Sequence, residues 1–237
     1  MEGLSIIIPI FNEENSIRST IVNIKKYFNQ LEFDYEIIFV NDGSNDSTKV
    51  ILNKELHNLE NSILINHNVN KGYGAALKTG IKNSKFENIV ITDADGTYPN
   101  DRIPEFYKKF ILGEFDMLVG ARIGKNVKIP IIRRPAKWVL RMLASYLANY
   151  NIPDLNSGLR IMRKDILIRF INILPDGFSF TTTITLAMLT NNYNVHYEKI
   201  DYFDRSGASK IRPIYDTLNF TQLIIRTILL FNPLKIF

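Results

Sequence analysis

The sequence predicts an α/β fold built on a mostly parallel β-sheet that is flanked by helices. Short runs rich in Ile and Val, typical of strands buried on both faces, alternate with stretches that have the character of helices. This alternation is typical of parallel strands joined by right-handed crossovers. The apolar runs lie at 4–10, 35–40, 62–66, 88–92 and 115–121. The helix-like stretches between them lie at 15–28, 47–60, 72–84 and 101–112.

Three residues mark expected helix ends. Ser47 and Asp101 stand where an N-cap is needed, because their side-chain oxygens can accept hydrogen bonds from the first helical N–H groups. Gly113 follows the fourth helical stretch and is expected to stop it. These signals support the element boundaries that the apolar pattern indicates.

The composition excludes several classes of site. The chain has 237 residues, 46% hydrophobic and 22% charged, which is enough to bury the core of one α/β domain. The absence of cysteine excludes disulfides, thiolate catalysis and Cys-based zinc or iron–sulfur sites, and it fits a reducing compartment. The three histidines, His57, His67 and His196, are too scattered to suggest a metal cluster. No secretory signal follows Met1, so we expect the protein on the cytoplasmic side.

The positive charge is unevenly placed. The net charge is +5, and the stretch from Met117 to Pro153 contains no acidic residue. Such a stretch can meet phosphates, anionic lipid or nucleic acid, and it is equally consistent with an exposed basic helix face. Its basic residues are Arg122, Lys125, Lys128, Arg133, Arg134, Lys137 and Arg141.

Polar loops follow the first four predicted strands. The carboxyl ends of parallel strands lie on one edge of a sheet, so we expect these loops to share a crevice. Taken singly, Asp42-Gly43 and Asn70-Lys71-Gly72 are also ordinary turn sequences. The charged residues that the crevice would collect are Glu13, Asp42, Lys71, Asp93 and Asp95.

The pair Asp93 and Asp95 points to a divalent cation. Mg²⁺ and Mn²⁺ prefer oxygen ligands, and Mg²⁺ commonly binds one or two carboxylates while phosphates and water complete its shell. Side chains one residue apart on a strand point to opposite faces, so a turn must begin between the two carboxylates. Gly96 and Pro99 support that turn. A cation there would bridge the phosphates of a nucleotide diphosphate.

Six motifs, in order and at suitable spacing, resemble those of the family 2 glycosyltransferases. The similarity is greatest to the branch that glycosylates polyprenyl phosphates. It implies a GT-A type, Rossmann-like domain over residues 1–212 and a transferase that uses a UDP- or GDP-sugar. The motifs are "SIIIPIFNEE", "VNDGSNDST", "NKGYGAALKTG", "DADGTYP", "DLNSGLR" and "RSGASK".

This resemblance implies roles for the nucleotide side of the crevice. Pro9, Phe11 and Glu13 would line the nucleotide pocket, with Glu13 near the ribose. Asp42 would accept a hydrogen bond from the base, which either uracil or guanine can donate. The motifs therefore do not separate UDP donors from GDP donors.

The resemblance also implies roles at the diphosphate. Lys71 and Gly72 would lie near the nucleotide and its phosphates, Asp93 at the ribose and the metal, and Asp95 would be the main ligand of Mg²⁺ or Mn²⁺. Family members often have Gln two positions after the second Asp, where this chain has Thr97. Whether Thr97 joins the metal shell is left open by the sequence.

The last two motifs concern the acceptor and the leaving group. Arg160 has a planar fork suited to phosphate, and Arg205 and Lys210 lie in the segment that closes over phosphates in similar enzymes. A polyprenyl phosphate is already an anion near neutral pH, so its attack needs no strong base. We therefore expect inverting transfer in which Asp154 orients groups, while the metal and these cations, with Arg122, shield the charge repulsion.

Two stretches suggest contact with a membrane. Residues 133–150 and 216–237 mix basic with aromatic and aliphatic side chains, and neither has the roughly 20 uninterrupted apolar residues that span a bilayer. Both suit interfacial amphipathic helices; packing on the domain or on a partner subunit in a homo-oligomer suits the first stretch equally well and the second less well. We expect 213–237 to be a membrane-interface segment, or the start of a membrane region, and the enzyme to act at the cytoplasmic face of the cell membrane.

Three other functions were weighed against this prediction. A family 2 enzyme acting on a saccharide or another non-lipid acceptor would need a firm base and would not depend on lipid. A nucleotidyltransferase also uses a parallel sheet and metal-bound carboxylates, but the first strand lacks a Gly-rich, Arg-Lys signature. A nucleic-acid-binding protein would use the basic residues 122–141 and would leave the four loop motifs unexplained. Nucleic acid is therefore not an expected partner.

Overall fold

A seven-stranded sheet forms the centre of the computed structural model, which describes residues 2–28, 33–57, 59–124, 134–203, 221–227 and 229. In chain order the strands are β1 (Leu4–Ile10), β2 (Tyr35–Asp42), β3 (Ser62–His67), β4 (Asn88–Ile91), β5 (Met117–Ala121), β6 (Arg160–Arg163) and β7 (Val195–Lys199). Their order across the sheet is β3-β2-β1-β4-β6-β5-β7. All pairs are parallel except those of β6, so the predicted mostly parallel sheet is confirmed.

The seven α-helices that precede β7 in the chain cover the two faces of this sheet. They are α1 (Ile17–Phe28), α2 (Thr48–Leu56), α3 (Tyr73–Asn83), α4 (Ile103–Leu112), α5 (Arg134–Ala148), α6 (Lys164–Phe170) and α7 (Phe180–Thr190). Residues 221–227 are also helical, and the rest of the predicted segment 213–237 lies outside the described residues apart from 229. The limits of α1, α3 and α4 agree with the predicted ones to within two residues, whereas α2 ends at Leu56, four residues before its predicted end.

Alternate residues of strands β1 to β6 enter two separate cores. Ile7 of β1 packs with α3, α5, α6 and α7 on one face, whereas Ile6 and Ile8 pack with α1, α2 and α4 on the other. All seven residues of β1 are buried. Because both faces are covered, the central strands need continuous apolar runs, which is the pattern that revealed them in the sequence.

The strand β6 brings a late segment of the chain to the edge where the early loops lie. It runs antiparallel between β4 and β5, with Arg160 opposite both Ile91 and Val119. Its first residue therefore lies beside the last residue of β4. The loop before β6, residues 154–159, consequently joins the loops that follow β1, β2 and β4.

The predicted helix ends are partly confirmed. Ser47 is the N-cap residue of α2, although the neighbouring Asp46 carboxylate accepts the hydrogen bond from the Thr48 N–H. Gly113 ends α4, and its N–H donates to a carbonyl of the last turn. The prediction for Asp101 is wrong, because a short 3₁₀ turn over Asn100–Arg102 precedes α4 and makes Arg102 its N-cap residue.

Candidate active site

A cavity of about 230 Å³ opens at the carboxyl ends of β1, β2 and β4. It brings together seven of the residues for which the sequence predicts a role, so their convergence at this edge is observed. Their contacts with a donor remain predictions. These lining residues are Pro9, Phe11, Glu13, Asp42, Gly72, Asp93 and Asp95.

The carboxylate of Asp42 anchors the loop between β3 and α3. Its Oδ1 accepts the Lys71 N–H at 2.9 Å and lies 2.6 Å from Nδ1 of buried His67, while Oδ2 accepts the Gly72 N–H at 2.8 Å. Gly72 has φ of 104°, a conformation that favours glycine. The side chain of Lys71 is exposed and is not among the described residues that line the cavity. Lys71 therefore contributes to this site through its backbone.

Glu13 is held by α1 and α2. Its backbone N–H donates to the Thr48 hydroxyl at 2.9 Å, and its carboxylate accepts a hydrogen bond from the Ser16 hydroxyl at 2.7 Å. The loop after β1 is thus fixed from both sides. Glu13 is presented to the cavity in a defined orientation.

The Asp93 and Asp95 carboxylates are held by different hydroxyls. Tyr73 donates to Asp93 Oδ1 at 3.0 Å. The N–H and the hydroxyl of Thr97 both donate to Asp95 Oδ1, at 3.2 and 2.7 Å, and the expected turn is made by Gly96 with φ of 73°. Because its hydroxyl hydrogen points to Asp95, Thr97 acts here as a support for that carboxylate.

The donor set at this point fits a hard divalent cation. Both aspartates line the cavity, and their oxygens are the ligands that Mg²⁺ and Mn²⁺ prefer. Within the described residues there is no group of three or more His, Cys, Asp or Glu side chains able to enclose a metal. Two carboxylates suit a cation that takes its other ligands from a bound diphosphate and from water.

Asp154 and Arg122 form a buried ion pair at the same edge of the sheet. Arg122 donates to Asp154 Oδ2 from Nε at 2.7 Å and from its backbone N–H at 3.0 Å, and Nη2 donates to Oδ1 at 2.8 Å. The exposed fractions of the two side chains are only 9% and 11%. Burial alone would lower the pKa of Arg122, but the adjacent Asp154 carboxylate raises that pKa well above its ordinary value. Both carboxylate oxygens of Asp154 therefore accept hydrogen bonds from a guanidinium group that stays positively charged.

Arg160 does not reach the cavity, which contradicts its predicted contact with phosphate. Its side chain is fully buried, and Nε and Nη2 donate to the Ser157 carbonyl. Nη1 donates to the carbonyl of Thr181 at 3.0 Å and to the hydroxyl of Thr185 at 2.9 Å. The planar fork thus ties the loop before β6 to α7. Burial is the main cause that lowers the pKa of Arg160 below its ordinary value.

Two further residues with predicted roles, Arg205 and Lys210, lie outside the described residues, as do the side chains of most of the basic stretch after Arg122. Their roles toward phosphate remain predictions.

The comparison with protein families decides which class of protein this is. The model of glycosyl transferase family 2 matches residues 5–170, a span that contains every residue placed in the cavity so far. The chain belongs to glycosyl transferase family 2. It is a glycosyltransferase, and the resemblance found in its motifs is confirmed.

This glycosyltransferase is similar to several curated proteins, two of which are named as transferases. It is 34% identical over 165 residues to an uncharacterised protein of Methanocaldococcus jannaschii, an overlap of 67% of this chain and 64% of that one. It is 28% identical over 213 residues to the dolichyl-phosphate hexose transferase of Haloferax volcanii, covering 90% and 88%. It is 26% identical over 173 residues to the prophage bactoprenol glucosyl transferase homolog of Escherichia coli K12, covering 73% of this chain and 56% of the relative.

Solved structures confirm the GT-A fold of this family 2 enzyme. Glucosyl-3-phosphoglycerate synthase of Mycobacterium tuberculosis, crystallised with Mn²⁺ and UDP-glucose, matches 96% of this chain and 78% of its own with a TM-score of 0.70. The two sequences are 17% identical over that match. The likeness therefore establishes the architecture.

The structure adds cavity residues that the motif reading missed. Asn70, Tyr73 and Phe178 line the cavity, and the rings of Tyr73 and Phe178 stack with their centroids 5.5 Å apart. Tyr73 lies within the motif "NKGYGAALKTG", so the sequence could have indicated a role for its side chain. Phe178, 67% exposed, comes from the loop between α6 and α7 and has no signal in the sequence that links it to the site.

Proposed function

We propose that this enzyme transfers a sugar, with inversion, from a nucleotide diphospho-sugar to a polyprenyl phosphate at the cytoplasmic face of the cell membrane. The observation that carries the proposal is the buried pair of Asp154 and Arg122 at the edge that holds the donor cavity. A carboxylate so engaged is a poor proton acceptor, and a phosphate acceptor requires none.

The donor half of the proposal is supported by the cavity. Asp42 holds the backbone of Lys71 and Gly72 in place, so the loop that borders the nucleotide is ordered before the donor binds. Asp93 and Asp95 would hold Mg²⁺ or Mn²⁺. When bound, the cation would neutralise the charge that develops on the departing nucleoside diphosphate.

The acceptor half is supported by charge. A phosphate monoester is anionic near neutral pH, so the protein has to position it and does not have to deprotonate it. Asp154 would act by orienting Arg122, whose guanidinium also lies 5.2 Å from the centre of the Tyr202 ring and donates to Asn156 at 2.8 Å. The relatives named as dolichyl-phosphate and bactoprenol transferases support the same class of acceptor.

The outer face of α5 supports a membrane as partner. Trp138, Val139, Met142 and Tyr146 are 54%, 52%, 50% and 73% exposed, and three of them repeat every four residues along one ridge of the helix. Arg141 is exposed on the same helix. An apolar ridge with aromatic side chains and an adjacent cation suits the boundary between headgroups and acyl chains. No helix of the described residues is both long and apolar enough to cross a bilayer.

The test is a transfer assay with chosen donors and one lipid acceptor. UDP- and GDP-sugars are offered with Mn²⁺ or Mg²⁺ and undecaprenyl phosphate in detergent, and the glycolipid product is measured. We expect metal-dependent product from one class of donor and loss of that product in Asp95→Ala. The matched control is Asp101→Ala, which removes an exposed carboxylate six positions along and should leave the rate unchanged.

The outcomes separate the two halves of the proposal. Transfer to free saccharides or to small phosphorylated acceptors, with the lipid left unmodified, would refute the lipid acceptor and leave the donor half intact. Transfer that persists in EDTA or in Asp95→Ala would refute the role of the metal.

A further inference from the structure

The backbone at Gly158 lies directly against the Asp93 carboxylate. A Cβ atom placed on Gly158 would be 2.8 Å from Asp93 Oδ2, 3.0 Å from Oδ1 and 3.1 Å from Cγ. Cβ atoms essentially never lie within 3.0 Å of another heavy atom, so a larger residue at 158 would require the Asp93 carboxylate or the backbone at 158 to shift. The φ angle of Gly158 lies outside the left-handed region, so the requirement for glycine comes from this contact.

Tyr73 holds the same carboxylate at Oδ1. Its hydroxyl donates to Asp93 at 3.0 Å, and its ring is fixed by stacking on Phe178. The Asp93 carboxylate thus lies between the backbone of Gly158 and the hydroxyl of Tyr73, which donates a hydrogen bond to it.

The backbone of Gly158 is itself hydrogen-bonded to the loop that carries both aspartates. The Gly158 N–H donates to the hydroxyl of buried Tyr98 at 2.6 Å, and Tyr98 follows Asp95 by three positions. Two residues later, Arg160 begins β6 in register with Ile91, the last residue of β4. Because both ends of this short segment are fixed, Gly158 cannot readily move away from Asp93.

We propose that Gly158 and Tyr73 are positioning residues that set the direction of the Asp93 carboxylate toward a bound cation and nucleotide. The inference rests on the proposed donor and metal site. Metal–oxygen distances tolerate an error of only about 0.2 Å, so a small displacement of the carboxylate weakens the bond. The loop before β6 would in this way act on the metal site without supplying a ligand.

The test measures binding, so that it does not depend on the acceptor. Titration calorimetry gives the dissociation constants of UDP and GDP, each with Mn²⁺ and each in EDTA, for the wild type, Gly158→Ala and Tyr73→Phe. For both variants we expect Mn²⁺-dependent binding to weaken by about 10- to 100-fold, the usual cost of losing a residue that orients a metal ligand. Binding in EDTA should change by less than about threefold, because Tyr73→Phe keeps the ring that lines the cavity and Gly158 is not among the residues that line it.

The control is Gly177→Ala in a neighbouring loop. A Cβ atom there meets nothing within 4 Å and Gly177 also avoids the left-handed region, so the variant should bind as the wild type does. A crystal structure of metal-free Gly158→Ala gives a second readout, in which Asp93 should be displaced from its position between Gly158 and Tyr73.

Each result has one reading. Folded variants whose Mn²⁺-dependent affinity stays within about twofold of the wild type would overturn the inference while the proposed function stands. If Gly158→Ala does not fold, Tyr73→Phe decides alone, and unchanged metal-dependent binding in that variant overturns the inference. Failure of the wild type to bind either nucleotide with Mn²⁺ would overturn the proposed function, and the inference with it.

Discussion

Replacing Asp154 by Asn tests whether the Asp154 carboxylate orients Arg122 or acts as a catalytic base. Asn keeps one carbonyl oxygen for Arg122 but loses the negative charge and turns an N–H₂ group toward a donor. Three hydrogen bonds join the two residues, and both side chains are about 90% buried. Breaking a buried ion pair from one side typically costs about 3–5 kcal/mol. We expect a loss of that order in the free energy of unfolding, measured with urea.

A double-mutant cycle gives the decisive rate measurement. If Asp154 acts only through Arg122, then adding Asp154→Asn to Arg122→Met should change kcat by less than about threefold, because the group it orients is already gone. The cycle should also show that the double variant is more stable than the sum of the single losses predicts, since neither charge is left buried alone.

The opposite result would refute the reasoning about the acceptor. A general base contributes about 10²- to 10⁴-fold, and it does so whether or not Arg122 is present. If Asp154→Asn lowers kcat by that factor in both backgrounds, with normal folding and normal nucleotide binding, Asp154 is a base. A hydroxyl acceptor would then replace the polyprenyl phosphate in the proposed function.

Three further predictions concern stability, pH and the membrane. Gly80→Ala should lower the free energy of unfolding by about 1–3 kcal/mol, measured with urea, because the added Cβ would overlap the side chain of Ile7 where α3 meets the sheet. The pKa of Tyr73 is raised in the folded state, so its contribution to stability is fully present below the unfolded pKa of about 10 and is lost at higher pH. The free energy of unfolding of the wild type should therefore fall more steeply between pH 9.5 and 11 than that of Tyr73→Phe. Tyr146→Asp should reduce sedimentation with anionic vesicles at least about fivefold, whereas Val50→Asp, which changes a side chain of α2 that is 71% exposed, should not; equal binding by both variants would exclude α5 as the contact.

The sequence predicted β1 to β5 because they are runs rich in Ile and Val, most of them buried on both faces, and it did not predict the antiparallel strand β6. Continuous apolar runs such as Leu4–Ile10 have few alternatives in a chain of this length. The prediction for β2 stopped at residue 40, whereas the strand continues to Asp42, which pairs with His67 of β3. The polar last residues of a strand are hard to predict from an apolar pattern, because hydrogen bonding to the neighbouring strand keeps them extended.

The site was predicted where residues close in sequence carry the chemistry. Asp93 and Asp95 form a local pattern with an evident use, and they do line the cavity. Arg160 was misread because its type suggests phosphate binding, and only the fold shows that α7 packs over it and supplies acceptors for its guanidinium. Gly158 and Phe178 were missed for the same reason, since their meaning depends on contacts with distant parts of the chain.

The antiparallel strand β6 lets an early and a late segment of the chain meet at the same edge of the sheet. The segment before residue 96 supplies most of the walls of the donor cavity, and β6 returns the later loop to the same edge from the other side. Under the proposed function, the segment before residue 96 would bind the nucleotide and the late loop would face the acceptor, so substitutions in the late loop should change acceptor choice more than nucleotide binding. The close approach of Gly158 to Asp93 couples the late loop to the first half of the chain, so we expect substitutions at Gly158 to disturb the cavity as well as the loop.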